Sequence, residues 1–161
     1  MSSAFWSQPT RGFRNAQVLF ALLGIGFGVA AVVYACCPGF VVDGFAQMDA
    51  LLGGHGSYPE EQCRIWTSLA AANVATLSLM SVQLLRDLAR KRALHLPLLF
   101  MKTTSALLFL SWFLVLPHAR SLLFAFVGDL ATGLLIWWVP RRAFAELDEK
   151  RSGAVSLWPA R

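Results

Sequence analysis

Charge is what this sequence has least of. Only 14% of its 161 residues are Asp, Glu, Lys or Arg, against about 25% in a soluble domain. With 57% hydrophobic residues and a mean hydropathy of +0.56, that shortage excludes an ordinary water-soluble fold. Cysteine is scarce too: three residues, an odd number, exclude a disulfide-knit scaffold. The histidines His55, His95 and His118 all fall at or beyond the ends of apolar segments. No two sit at matching depth on facing helices, which argues against a bis-histidine haem. No H-E-x-x-H, G-x-S-x-G or phosphate-loop pattern occurs, so no catalytic residue is predicted. Cys36, Cys37, Cys63 and His55 have no zinc-site spacing. No metal or cofactor is predicted, although a bound lipid or quinone is compatible with the chain. The pI near 9.6 is no mark of nucleic acid, because the basic residues flank apolar runs.

What the chain does have is four such runs. The clearest is Ser121 to Val139, SLLFAFVGDLATGLLIWWV. About 19 residues at about 1.5 Å each cover the roughly 30 Å hydrocarbon core of a bilayer. Trp137 and Trp138 precede Pro140, Arg141 and Arg142, an aromatic belt followed by a basic stop. Three further spans are predicted at about 16–35, 62–85 and 97–116. They leave an N-terminal interfacial segment (1–15), an outer loop (36–61) and a charged tail (141–161). The first span is too long for a cleaved signal, and bulky Tyr34 sits where a cleavage site needs a small residue. It reads as a retained anchor.

Lysine and arginine set the expected topology. Arg11 and Arg14 precede the first span. Arg86, Arg90, Lys91 and Arg92 fill the second link, and Arg141, Arg142, Lys150 and Arg151 the tail. The outer loop carries Asp43, Asp49, Glu60 and Glu61 against Arg64. The predicted fold is an all-α integral membrane protein, an antiparallel four-transmembrane-helix bundle with both termini cytoplasmic. In the outer loop, Val41, Phe45, Met48 and Leu52 recur at helical spacing. They predict a short amphipathic helix with Asp43, Gln47 and Asp49 on its polar side. Bridging of Cys63 to Cys36 or Cys37 is left open.

Within the spans, Gly24 and Gly28 form a small-xxx-small face that lets two helices approach closely. Gly26 to Ala31 also matches the G-x-G-x-x-A dinucleotide fingerprint, but it lies inside a span rather than after a strand. Ionisable residues inside a membrane are functional candidates by default, and there are two, Lys102 and Asp129. Residue counting places Asp129 level with Asn73 and Thr76 on the second span. It places Lys102 one layer lower, near Ser78 and Ser81. Lys102 is expected either to pair with Asp129 or to snorkel to the interface. Asp129 cannot snorkel and must be hydrogen-bonded, paired or protonated. The cluster Arg86, Arg90, Lys91 and Arg92 is a candidate contact for anionic headgroups or an acidic partner.

The four-span plan with a long first outer loop broadly resembles the small DoxX-like bacterial membrane proteins. That is a likeness of architecture, and no residue role is carried over from it. The leading functional expectation is a non-catalytic accessory subunit of a larger complex in a bacterial cell membrane. Its partners would be the lipid bilayer and either other membrane subunits or further copies of itself, with a polar clasp built around Asp129. One alternative is a small oligomeric proton-coupled carrier or channel using Asp129 and Lys102. Another is a lipid- or quinone-binding protein or enzyme using the polar face of the second span and Trp112.

Overall fold

A computed structural model describes residues 10–56 and 60–156, with the side chains of 60–64 and 150–156 excepted. The described residues form helices and no strands. In order these are α1 (Arg11–Cys36), α2 (Pro38–Leu51), α3 (Glu60–Arg86), α4 (His95–Val115), α5 (Ser121–Trp138) and α6 (Arg141–Ser156). A 3₁₀ turn, Arg92–Leu94, leads into α4. Four helical stretches are long and apolar enough to cross a membrane: Arg11–Cys36, Ile65–Arg86, Arg92–Val115 and Ser121–Glu149. That pattern fits a multi-pass membrane protein.

Helix α1 begins five residues earlier than the apolar run alone predicts. Thr10 is the reason, because its hydroxyl accepts the Phe13 N–H at 3.4 Å and caps the helix. The same hydroxyl donates to Glu146 of α6 at 2.5 Å. A Cβ on Gly12 would lie 3.1 Å from Glu146 Oε1, so glycine allows α6 to close on α1 here. Arg92 ties the other side of α6, donating to Asp148 at 2.5 Å. The start of α1, the α3–α4 link and α6 therefore meet at one end, which also carries Arg11, Arg14, Arg86, Arg90, Lys91 and Arg142.

At the opposite end, α2 and the residues after it pack on the α4–α5 turn. Gly53 takes the left-handed conformation (φ 72°) that terminates α2. The His55 N–H bonds His118 O at 2.9 Å, and Arg120 donates to Leu52 O. Asp49 departs from expectation. It is 1% exposed, not on the polar side of α2, and its carboxylate accepts the Ser121 N–H at 2.5 Å. Helix α5 lacks a side-chain cap of its own, so a carboxylate from another helix takes that place. Cys36 and Cys37 carry exposed thiols. The open question of a bridge to Cys63 lies outside the described residues.

The helices pair as two hairpins, α1 with α3 and α4 with α5, with far thinner packing between the pairs. In the first pair a Cβ on Gly24 would meet Val82 Cγ2 at 3.1 Å, and one on Gly28 would meet Ser78 Oγ at 3.3 Å. Ser78 donates to Gly24 O at 2.7 Å across this approach. Close backbones and a hydroxyl between them are how helices associate where lipid removes the hydrophobic drive. The dense core gathers toward the basic end, around Phe13, Phe20, Leu84, Leu98, Ile136 and Phe144. Towards the other end the hairpins are less tightly packed together, and the polar site lies there.

Candidate functional site

Asp129 lies midway along α5, and both of its hydrogen-bond donors come from α4. Lys102 Nζ donates to Oδ1 at 2.6 Å, and the Ser105 hydroxyl donates to Oδ2. Lys102 and Ser105 are three residues apart, so one face of α4 presents both. The ion-paired side chains are only 11% and 17% exposed. At that burial the lysine does not snorkel. Its ammonium instead lies 4.8 Å from the centre of the Phe27 ring on α1, a cation–π contact that crosses from one hairpin to the other.

A pair removed from water loses solvation that its own attraction only partly restores, so such pairs need further hydrogen bonds. Here Ser105 and Phe27 supply part of what water would give. The pair is not sealed in. It faces a cavity of about 410 Å³ between the hairpins, whose lining includes Tyr34 of α1, Asn73 of α3, Phe109 of α4 and Phe124 of α5. Its polar groups are an ammonium, a carboxylate, a hydroxyl, an amide and a phenol. Aromatic rings and small aliphatic residues make up most of the remainder.

The other candidates divide. Asn73 shares the cavity with Asp129 as residue counting implied. Its amide is exposed and has no hydrogen-bond partner among the described residues. Thr76 does not reach Asp129. It is exposed and donates to Ala72 O of its own helix at 2.9 Å. Ser78 and Ser81 do not bond Lys102: Ser78 donates to Gly24 O and Ser81 to Leu77 O at 2.8 Å. The lysine reaches Asp129 in spite of the offset that residue counting gives. Trp112 stands exposed on α4. Gly24 and Gly28 face α3 inside the bundle. Arg86 and Lys91 are exposed, Arg90 is 3.6 Å from Asp87, and Arg92 pairs with Asp148.

Ser105 is the residue that sequence reasoning missed. The available signal was its spacing of three from Lys102. Among the described residues no three His, Cys, Asp or Glu side chains converge as a metal site would need. No family, curated protein or solved structure matches the chain.

Proposed function

We propose that this is a multi-pass membrane protein with its basic end in the cytoplasm. The chamber between its hairpins binds a small lipophilic molecule with a polar head, of the lipid or quinone class. The observation that carries the reading is the Lys102–Asp129 pair facing an open volume rather than packed side chains. A clasp that only fixed helix register would need no such space. Both donors to Asp129 sit on α4, so the pair by itself joins two helices that already pack closely. About 410 Å³ lies within the range of small-molecule sites, which are mostly apolar with a few convergent polar groups. The ammonium and hydroxyl suit a carbonyl or hydroxyl head, and Phe109 and Phe124 suit its apolar body.

The test is organic extraction and mass spectrometry of the protein purified from its native membrane, beside Ala125→Leu, which enlarges a residue of the chamber's lining. The reading predicts a stoichiometric lipophilic molecule on the wild type and its loss from the variant. An empty wild type that Ala125→Leu stabilises would overturn it.

The accessory-subunit reading is favoured by one observation, the exposed Asn73 amide of α3, which has no hydrogen-bond partner among the described residues. An unpaired amide within a membrane span needs a partner, and a neighbouring subunit or a second copy would supply one. Mild-detergent sizing separates the readings: Asn73→Leu releases a partner if the amide holds one, and leaves the particle mass unchanged if it serves the chamber. The carrier reading requires flux in proteoliposomes that Asp129→Asn abolishes.

A further inference from the structure

A second cavity, of about 820 Å³, opens at the basic end between the α3–α4 link, the start of α4, the end of α5 and α6. Arg90, Arg92 and Arg141 stand around it with Asp148. Their commitments differ. Arg92 is spoken for, donating to Asp148 at 2.5 Å and lying 4.7 Å over the Phe144 ring. Arg90 pairs with Asp87 at 3.6 Å, but its side chain is 79% exposed, and a pair so solvated holds the guanidinium weakly. Arg141 has no carboxylate partner among the described residues. It makes a cation–π contact with Trp137, its guanidinium carbon 4.2 Å from the ring centre. His95 donates from Nε2 to the Ile136 carbonyl at 2.8 Å, pinning the last turn of α5 to the first of α4. The cleft thus has a rigid back wall and two cations whose donors are available.

The cleft also leads somewhere. Leu99 and Trp137 line both it and a largely apolar groove of about 330 Å³ between α4 and α5, which continues past Leu130 and Leu134 and has Thr103 and Asp129 as its polar residues. Gly133 lines that groove without a side chain to fill it. A cationic cleft that passes, at a tryptophan, into an apolar groove matches one ligand in both halves. A guanidinium held over an indole keeps N–H donors for an oxyanion, and phosphate is an oxyanion that its fork fits. An apolar groove beside it suits an acyl chain.

We propose that this is a binding site for an anionic glycerophospholipid. Its headgroup phosphate lies between Arg90 and Arg141, and one acyl chain runs along the α4–α5 groove from Trp137. The cationic cleft shares no lining residue with the chamber between the hairpins, whereas the far end of the groove meets that chamber at Asp129. A free phosphate offers the same anion without the chain, and the groove is what separates the two.

The experiment is native mass spectrometry of the full chain titrated with phosphatidylglycerol and, in parallel, with phosphatidylcholine. The wild type retains phosphatidylglycerol selectively. Arg90→Gln with Arg141→Gln lowers that retention about 25-fold, at about fivefold per cation near an anionic lipid. Arg90→Lys with Arg141→Lys recovers part of it, which rules out a folding defect in the glutamine pair. Leu134→Trp fills the groove and lowers retention with both arginines present, while Arg11→Gln with Arg14→Gln leaves it unchanged. Equal losses in the two arginine-to-glutamine pairs would reduce the effect to diffuse charge and overturn the site. So would full displacement by inorganic phosphate together with an inert Leu134→Trp, which would make it a site for the free anion.

Discussion

The Asp49 carboxylate accepts the Ser121 backbone N–H at 2.5 Å, so a residue of α2 caps the first turn of α5. Hydrogen bonds to a buried charged acceptor are worth about 1.5–3 kcal/mol. Asp49→Ala should therefore lower unfolding stability by about 2 kcal/mol, and Asp49→Asn, which keeps an acceptor but loses the charge, by about 1 kcal/mol. Thermal unfolding in detergent reads both. If Asp49→Ala matches the wild type, the cap contributes nothing.

Gly24 and Gly26 lie two residues apart on α1 and should respond in opposite ways. A Cβ at Gly24 already presses Val82 at 3.1 Å, whereas one at Gly26 meets nothing within 4 Å. Gly24→Leu should separate α1 from α3, break the Ser78–Gly24 bond and cost about 1–3 kcal/mol. Gly26→Leu should stay within about 0.5 kcal/mol of the wild type. Equal effects would mean that α1 meets α3 through another face.

Lys102 and Asp129 should behave as a unit. Removing one partner leaves a buried charge alone, which costs about 3–5 kcal/mol. Lys102→Met and Asp129→Leu should each destabilise strongly, while the double variant should recover most of the loss. The double-mutant cycle checks the coupling. Under the proposed function, the stable double variant should still fail to retain the lipophilic molecule, which separates a binding role from a structural one.

The proposed orientation is open to chemical labelling. In a background with Cys36, Cys37 and Cys63 changed to serine, Lys91→Cys should be shielded from an impermeant thiol reagent in intact cells. His55→Cys should react with it. The reverse pattern would invert the topology.

The apolar runs in the sequence matched four helices because a bilayer demands length and hydropathy, and both are local properties. The Gly24 and Gly28 face was legible for a similar reason, since helical spacing alone brings them together. Tertiary choices were not legible. Asp49 looked like a solvated acid because its partner is a backbone amide 72 residues away, and amides leave no trace in side-chain patterns. Thr76 looked like a neighbour of Asp129 because residue counting gives depth along a helix but not rotation about it. Ser105 was passed over because a serine on an apolar helix usually bonds its own backbone, as Ser111 does with Leu107 O at 2.8 Å.

The bond from Thr10 to Glu146 joins residues 136 positions apart. Translation is vectorial, so the first helix must wait until 136 further residues have been made before its capping residue finds this partner. Until then Gly12 and Phe13 lack the surface they finally rest against. A nascent chain paused within α5 would expose that gap to chaperones and proteases, and the arrival of α6 is the event that closes it.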